Sequence, residues 1–553
     1  MTTLDWIVLF GWIAFLVSYG LWRGRGSSSV NQFLLAGKTM PWYAMGLSIM
    51  ATQASAITFI STTGQGFVDG MRFVQFYFGL PVAMVILCAT AVPIFHRANV
   101  YTAYEYLEQR FDVKTRTLVT IIFLIGRGLG AGVALAAPAI VMSAVLGLPF
   151  HWTTIIMGSL VILYTTTGGI KAVTWADVQQ MTVIMAALVL AMFIAISKLP
   201  SDISFLGALK LAGAAGRLNA VDTHFDWNNR YNLFSGLIGG SFLMLAYFGT
   251  DQSQVQRYLT GRSIGQSRLG LLFNAMVKVP VQFFILFIGT MVFVFFLFAQ
   301  PPLLFHPLEM KQVRQTAEYP ALQARFDQAF AERQAVARQL TNANGTAAEF
   351  RAAQRKVEDV RADAAKLAGG SDTNYIFLSF VMQYLPKGLV GLILGVIFTA
   401  AMSASSGEIN SLATVTMVDV YQRHFHREGA DKHFLLVSRL ATIFWGAYAI
   451  TFANFAQGFG ALIEAVNQVG SLFYGSMLGV FIVAFFMKRA GGTAAFWATL
   501  GGQAVTFAVA AFTSIAYLWY NAIGCLVVLA IAWALTLAVH EPVAPVQNAA
   551  RHS

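Results

Sequence analysis

The chain has 553 residues, of which 57% are hydrophobic and only 11% are charged. A soluble protein of this length would carry far more charge on its surface. Repeated apolar stretches of about 20 residues, each long enough to span roughly 30 Å of hydrocarbon, indicate an all-α polytopic membrane protein instead. The net charge of +11 does not indicate nucleic-acid binding, because the excess lies in short loops without interleaved aromatic residues. Both cysteines lie in apolar stretches, which excludes a disulfide framework.

Thirteen membrane spans are predicted from hydropathy. They cover about 4–22, 45–70, 74–95, 118–146, 153–167, 178–196, 233–250, 269–298, 388–418, 434–452, 460–486, 495–512 and 515–539. The first span lacks a charged n-region and a cleavage site, so we expect it to be retained. A turn is predicted at 167–171, a polar loop at 198–232 and a short apolar segment at 375–384.

The loop charges predict the orientation. Lys and Arg, among them Arg23, Lys171, Arg257 and Arg423, concentrate in alternate loops. Such loops are cytoplasmic, so the N-terminus is expected outside and the C-terminus inside a cell (inner) membrane. The charged insert 301–372 is then extracytoplasmic, and its composition predicts a helical hairpin over 322–340 and 347–367, broken at 342–345. It is interpreted as a polar lid or, alternatively, as an arm that docks a partner.

The second span contains an unusual polar centre. Ala51-Thr52-Gln53-Ala54-Ser55 is made of small, hydroxyl and amide residues, with Gly64 and Gly66 following. A helix facing lipid has no use for these residues at mid-depth. A helix opened around an ion or solute does, because freed carbonyls are tolerated where they line a protected cavity.

Ionisable residues at membrane depth are costly and usually functional. Asp177 is either an interfacial N-cap or a carboxylate on a cation exit path. Asp251 ends either a half-helix near a solute or an interfacial aromatic belt. Lys278 either reaches the interface or contacts a solute or a partner charge, and Arg127 raises the same alternatives.

The ninth span holds a second polar segment, 403–411, with four serines, Glu408 and Asn410. Small-residue packing explains the serines without an ion. It does not explain Glu408, whereas hydroxyls facing carbonyls of the second span would make an oxygen cage for a hard cation. The later polar patch 464–471 is interpreted as a hydrogen-bond network in the core or as part of a site.

Three separated motifs then identify a family. They are TTTGGIKAVTWADVQ at 165–179, TDQSQVQRYL at 250–259 and NSLATVTMVDVY at 410–421. With them the chain resembles the sodium:solute symporter family, which includes sodium/glucose, sodium/proline, sodium/iodide and sodium/sialic-acid transporters. The resemblance covers about 30–486 apart from the insert, and the last two spans match in hydropathy.

This resemblance implies a leucine-transporter-type fold of two inverted five-helix repeats, with one extra N-terminal helix and two extra C-terminal helices. The implied division begins with an extra span and linker (1–39), the first repeat (40–197) and an extracytoplasmic loop (198–232). It continues with two helices of the second repeat (233–300), the insert (301–372), the last three helices of that repeat (373–487), and two spans with a short tail (488–553).

The resemblance also implies a sodium site. The family's shared site falls on the backbone carbonyls of Ala51, Ala54 and Ala400 and on the hydroxyl of Ser403. The next position usually bears a hydroxyl but is Ala404 here, so Ser405 or Ser406 substitutes or the cage has one ligand fewer. Asp177 matches the family's carboxylate near the inner exit.

A solute site is implied in the same way. Tyr247, Phe248, Lys278 and Asn467 occupy the positions of the sodium/sugar branch. Gln53 and Thr58 replace that branch's polar residues on the first broken helix, and Tyr77 stands where it has a glutamate.

The function implied is sodium-coupled uptake of a small polar organic solute, with a sugar-like solute favoured, by alternating access. Alternatives are proton-coupled or sodium-independent transport of an amino acid or small carboxylate, and a transporter-like sensor. Sodium is the coupling ion rather than a resident cofactor; the solute and the lipid bilayer are the other partners, and a homodimer is compatible but not required. No phosphate loop, metal-ligand spacing or nucleophile–base pair suggests an enzyme.

Overall fold

A computed structural model of the chain describes residues 1–24, 36–53, 55–342, 344–368, 372–456 and 461–538. Within these ranges, ten helices are long and apolar enough to cross a membrane, and a bent pair makes an eleventh span. The other two predicted spans are shorter apolar helices, Phe150–Thr166 and Ser235–Thr250. Each of the thirteen predicted segments is therefore apolar helix.

The helices up to the polar loop fall in the first predicted repeat and the span before it. Their bounds are α1 Thr3–Gly24, α2 Trp42–Gln53, α3 Ala56–Val68, α4 Gly79–Ala89, α5 Ala91–Ala98, α6 Ala103–Arg110, α7 Val113–Leu146 and α8 Phe150–Ser197. A 3-10 segment, Gly70–Tyr77, leads into α4.

The remaining helices begin in the polar loop, where α9 is Phe205–Ala214. They continue as α10 Gly240–Thr250, α11 Gln252–Leu259, α12 Ile264–Phe298, α13 Pro307–Val313, α14 Tyr319–Thr341, α15 Ala347–Ala368, α16 Ile376–Tyr384, α17 Leu389–Val415, α18 Asp431–Ala456, α19 Leu462–Phe486, α20 Gly492–Phe512 and α21 Leu518–Ala538. π-helical turns precede α10, at Ser235–Gly239, and follow α17, at Thr416–Tyr421.

The turn predicted at 167–171 is wrong, because the backbone stays helical from Phe150 to Ser197. Gly168 and Gly169 each lower helix stability by about 1 kcal/mol but remove no hydrogen bond, unlike a proline. At 1.5 Å per residue the helix is about 72 Å long, more than twice the thickness of the hydrocarbon core. Its two apolar parts, Phe150–Thr166 and Val173–Ser197, correspond to the fifth and sixth predicted spans.

The N-terminal helix α1 is docked against α17, the helix with the serine-rich segment. Asp5 Oδ1 accepts hydrogen bonds from the backbone N–H groups of Gly388 (2.6 Å) and Gly391 (3.3 Å), where α17 begins. A Cβ at Gly391 would lie 2.1 Å from the carbonyl oxygen of Asp5, so only glycine permits this contact. About two helical turns further along α1, Trp12 Nε1 donates a hydrogen bond to Thr399 Oγ1 at 3.0 Å. These contacts fix the position of α17.

Helix α3, the second half of the bent pair, packs backbone to backbone against α12. A Cβ at Gly289 would lie 2.0 Å from the carbonyl oxygen of Thr63, and one at Gly66 would lie 2.4 Å from that of Leu286. Small residues let membrane helices approach this closely and gain dispersion energy. The approach holds α3 in a fixed position beside the helix break.

The insert forms the predicted helical hairpin, with α14 and α15 packed around an apolar core that includes Phe326 and Val357. It also caps the end of α12. Arg333 Nη2 donates to the carbonyl oxygen of Phe296 at 2.8 Å, and Gln334 Nε2 to that of Phe298 at 3.0 Å. The last carbonyls of a helix have no partner within it, so these side chains satisfy them. The hairpin is thus fixed to the bundle at its base.

Candidate functional site

The first helix break separates α2 from α3, which are bent by 55°. Gln53 is the last residue of α2, and Ser55 precedes α3 with an extended backbone. Thr58 spans the break, because its hydroxyl donates to the carbonyl oxygen of Gln53 at 3.1 Å and its N–H to that of Ser55 at 2.8 Å. The predicted opening of this helix is confirmed. Ala54, between the two halves, lies outside the described residues.

The second break lies at Asp251, between α10 and α11. Asp251 has an extended backbone, and its Oδ1 caps α11 by accepting hydrogen bonds from the N–H (2.9 Å) and hydroxyl (2.7 Å) of Ser253. The half-helix interpretation of this segment is therefore right, and the interfacial one is wrong. The sequence did not predict that the second half continues to Leu259, because its polar residues lower its hydropathy.

A cavity of about 60 Å³ lies beside both breaks. Residues from α2, α3, α7, α10, α17, α19 and the 3-10 segment line it, namely Thr52, Gln53, Ser55, Ile57, Phe76, Tyr77, Arg127, Leu243, Met244, Tyr247, Glu408, Ile463, Val466, Asn467 and Tyr474. Four of the predicted solute residues, Gln53, Tyr77, Tyr247 and Asn467, are thus brought together.

The other three predicted solute residues do not line this cavity. Thr58 and Phe248 are fully buried against other helices. Lys278 is also fully buried, and its Nζ lies 5.4 Å from the centre of the Tyr77 ring. It therefore contacts a cavity residue without reaching the cavity itself. Its burial excludes the alternative in which Lys278 extends to the membrane interface.

A charged cluster that was not predicted as part of the solute site borders the cavity. Arg127 Nη2 lies 2.9 Å from Glu408 Oε1, and Arg127 Nη1 lies 3.5 Å from Asp251 Oδ2. Tyr474 donates its hydroxyl proton to Asp251 Oδ2 at 3.0 Å. Each of the three charged side chains stood out in the sequence because it interrupts an apolar stretch, but nothing there showed that they meet.

A second buried ion pair lies at the predicted sodium residues. Asp177 is 3% exposed, and its Oδ2 lies 3.0 Å from Arg257 Nη1. Ser403 donates its hydroxyl proton to Asp177 Oδ1 at 2.7 Å, and Ser48 donates to Oδ2 at the same distance. Arg257 also donates to the Ser48 hydroxyl. Asp177 lies far inside α8, so the N-cap interpretation is wrong.

Arg257 is the clearest correction to the predicted charges. It was assigned to a cytoplasmic loop, but it belongs to α11 and is 2% exposed. A Cβ at Gly407 would lie 2.7 Å from Arg257 Nη2, so this glycine of α17 leaves room for the guanidinium. Both Arg257 and Ser48 were missed as site residues, because neither belongs to a polar cluster along the chain.

The remaining predicted sodium residues lie close by in the fold, since α17 packs against α2 and α8. Ala51 and Ala400 are buried, as are Ser405 and Ser406. The Ser405 hydroxyl has no hydrogen-bond partner among the described residues. In the same residues, no group of three His, Cys, Asp or Glu side chains could hold a metal ion.

A hydrogen-bonded network around Glu464 lies beside the cavity, on the side that carries the insert. Glu464, at the start of α19, accepts a 2.6 Å hydrogen bond from the Tyr231 hydroxyl and lies 2.9 Å from Arg230 Nη1. Gln65 of α3 donates to it at 3.4 Å. Glu464 thus joins α19, α3 and the polar loop, one helical turn beyond the cavity residue Asn467.

A larger cavity of about 790 Å³ lies on the opposite side, away from the helix breaks. Glu108 lines this cavity, and its carboxylate forms ion pairs with the guanidinium groups of Arg116 (2.8 Å) and Arg423 (2.6 Å). Burial alone would raise the pKa of Glu108, but hydrogen bonds from these two arginines hold it below its usual value. Arg116 also pairs with Asp419 at 2.6 Å, so the network ties α6 and α7 to the end of α17.

Comparison with known proteins identifies the family. The model of the "Sodium:solute symporter family" matches residues 33–323 and 356–502. The chain belongs to the sodium:solute symporter family. It is therefore a multi-pass membrane transporter with sodium as its coupling ion, as predicted.

Individual relatives of this symporter are distant. The sodium/glucose cotransporter of Vibrio parahaemolyticus is 24% identical over 505 residues, covering 88% of this chain and 82% of the relative. The sodium/sialic acid symporter NanT of Aliivibrio fischeri is 24% identical over 537 residues, covering 96% and 92%. The human sodium-coupled monocarboxylate transporter 1 is 25% identical over 507 residues, covering 91% and 72%.

A solved structure of a Na⁺-coupled sialic acid symporter, in a substrate-bound outward-open state, superposes with a TM-score of 0.76. It is 22% identical, and the match covers 98% of this chain and 99% of that one. The predicted leucine-transporter-type fold is confirmed.

Proposed function

We propose that this protein imports a small polar organic solute together with sodium by alternating access. The observation that carries the proposal is that two broken helices, α2–α3 and α10–α11, lie beside one cavity. Broken helices at mid-depth are where transporters of this architecture bind solute and ions, because opened backbone supplies dipoles that lipid would not tolerate. Residues from both repeats line the cavity, so one repeat moving against the other would open it to either side.

Sodium coupling is assigned to the region of Ala51, Ala54, Ala400 and Ser403, with Asp177 behind it. The Ser403 hydroxyl donates its proton to Asp177. A hydroxyl has one proton and two lone pairs, so this bond leaves oxygen lone pairs free for a cation. Hard cations prefer such oxygen ligands. Ser405, whose hydroxyl has no partner among the described residues, is the candidate to replace the ligand missing at Ala404.

One observation favours a second candidate, proton coupling. Glu408 is 5% exposed, and its Oε2 has no hydrogen-bond partner in the described chain. A buried carboxylate with a free oxygen is a plausible proton carrier in a membrane transporter.

The solute remains open at the level of a class. A sugar-like solute is favoured by the predicted set Tyr247, Phe248, Lys278 and Asn467, but Phe248 and Lys278 do not line the cavity. The relatives named above transport glucose, sialic acid and monocarboxylates, so family membership does not choose among these classes.

The test uses purified protein in liposomes on a solid-supported membrane, which records charge movement. A sodium concentration jump should produce a transient current without any solute, and added solute should convert it to a sustained one. Liposomes with an imposed pH gradient and no sodium form the second arm. Currents that follow the pH gradient and ignore sodium would refute sodium coupling. The predicted orientation places the insert on the outer face of right-side-out vesicles. Protease added outside such vesicles should therefore cleave the insert.

A further inference from the structure

The cluster beside the cavity carries one excess negative charge. Arg127 supplies one positive charge and contacts two carboxylates, Glu408 and Asp251. All three side chains are at most 5% exposed. An excess buried charge is costly unless something of opposite sign pairs with it.

The unpaired acceptor in the cluster belongs to Glu408. Asp251 is fully engaged, because its Oδ1 accepts two hydrogen bonds from Ser253 and its Oδ2 accepts one from Tyr474. Glu408 Oε1 faces Arg127, whereas Glu408 Oε2 has no hydrogen-bond partner among the described residues. Leaving a buried carboxylate oxygen without a donor carries a full desolvation penalty. Glu408 Oε2 is therefore free to accept a hydrogen bond from a bound group.

A second cavity residue lacks a donor as well. Gln53 Nε2 contacts the sulfur of Met244 at 3.6 Å, and Gln53 Oε1 has no partner within the described ranges. The cavity thus has two acceptors without donors, beside Arg127, whose Nε and Nη2 also have no hydrogen-bond partner in the described ranges. An ammonium group supplies three N–H donors and a positive charge, whereas a sugar hydroxyl supplies one donor and no charge.

From these observations we infer that the solute carries a protonated amine, which binds Glu408 and Gln53. This inference rests on the proposed symport function and replaces the sugar-like expectation with an ammonium-bearing solute, such as a small amino acid or amino alcohol. Glu408 on α17 is the residue that selects the ammonium.

Matched pairs of probes test the inference. L-Alanine and L-lactate differ in an ammonium against a hydroxyl, and so do L-alaninol and propane-1,2-diol. Half-saturating concentrations are measured for the whole protein by thermal shift in sodium, with D-galactose as the sugar. The ammonium member of each pair should bind about tenfold more tightly or better, as expected for a buried charge-assisted hydrogen bond. Tighter binding of a hydroxyl member or of galactose would overturn the inference.

The variant Glu408→Gln should reduce the alanine-to-lactate ratio about tenfold or more. A ratio measured within one protein is insensitive to partial unfolding, and the wild-type panel decides the question if the variant does not fold. Glu108→Gln, which removes a carboxylate on the opposite side, should leave the ratio unchanged. An unchanged ratio in Glu408→Gln would overturn the inference. If sodium jumps still move charge in that case, the symport proposal stands; if they never do, both fail.

Discussion

Removing the hydroxyl of Ser403 is the most direct test of the sodium site. In Ser403→Ala the side chain loses its 2.7 Å hydrogen bond to Asp177 and the oxygen predicted to bind sodium. The contact of a hydroxyl oxygen with a bound cation is comparable to a buried hydrogen bond to a charged group, which contributes about 1.5–3 kcal/mol. At about 1.4 kcal/mol per decade, this corresponds to a rise of roughly 10- to 150-fold in half-saturating sodium. We expect at least the lower figure.

Two further variants separate the hydroxyl's roles. Ser405→Ala should change half-saturating sodium much less than Ser403→Ala. Asp177→Asn keeps an oxygen that accepts from Ser403 but leaves Arg257 without its carboxylate, which costs about 3–5 kcal/mol of stability for a broken buried pair. Ser403 and Asp177 are in contact. The loss of sodium-binding free energy in the double variant should therefore be smaller than the sum of the losses in the two single variants.

The assay is the sodium dependence of charge movement in liposomes, with thermal unfolding of each variant as the control for folding. A larger effect of Ser405→Ala than of Ser403→Ala would show that the predicted register of the cage is wrong. Additivity within about 0.5 kcal/mol would show that Asp177 does not act through Ser403.

Three other variants follow from the packing and the loops. Gly289→Ala should lower stability by about 1–3 kcal/mol or more, measured as a fall in Tm, because its Cβ would overlap a backbone oxygen of α3. Burial, with a smaller contribution from Asp372, raises the pKa of Glu309 to about 7. The folded state therefore loses stability as pH rises through 7. Glu309→Gln should flatten the resulting fall in Tm between pH 6.5 and 8. Glu464→Gln weakens the network beside the cavity, so Asn467→Cys in that background should react faster with a membrane-impermeant thiol reagent from the insert side.

Each of these variants has a control. Gly265→Ala, at a position with ordinary contacts, should leave the free energy of unfolding within about 0.5 kcal/mol of the parent's. Burial lowers the pKa of His306 to about 4, so its contribution to stability rises with pH and cannot produce the fall in Tm that is assigned to Glu309. A Tm of Glu309→Gln that falls as steeply as the wild type's would contradict the assignment. Equal thiol reaction rates with and without Glu464→Gln would mean that this residue does not restrict access to the cavity.

Local composition was enough to predict the first helix break and the hairpin insert. Thr52 and Gln53 are polar where lipid would demand apolar side chains, and 342–345 interrupts two helix-favouring stretches. Both features are set by a few neighbouring residues. The continuous α8 was missed for the opposite reason: two glycines lower helix propensity, but tertiary contacts with α17 and α2 outweigh that local preference.

Only some of the solute residues that the family resemblance implies line the cavity. Tyr247 and Phe248 are neighbours on α10, and successive side chains of a helix point about 100° apart. One of them can therefore line the cavity while the other packs behind it, as the structure shows. The Arg127 cluster could not be predicted at all, because its members come from α7, α10–α11 and α17 and meet only in the folded bundle.

Helix α17 connects the two halves of the proposed mechanism. Ser403, assigned to sodium, and Glu408, assigned to the solute, lie on this one helix, which α1 fixes at its other end. If both ligands bias the same helix, each must change the other's affinity by the same factor, because coupling free energies are reciprocal. Ser403→Ala should therefore weaken the effect of sodium on alanine binding and the effect of alanine on sodium binding equally. Titrating each ligand at saturating and zero concentrations of the other measures both factors, and unequal factors would mean that the two measurements do not report equilibrium binding to one site pair. Equal factors that Ser403→Ala leaves unchanged would place the coupling outside α17.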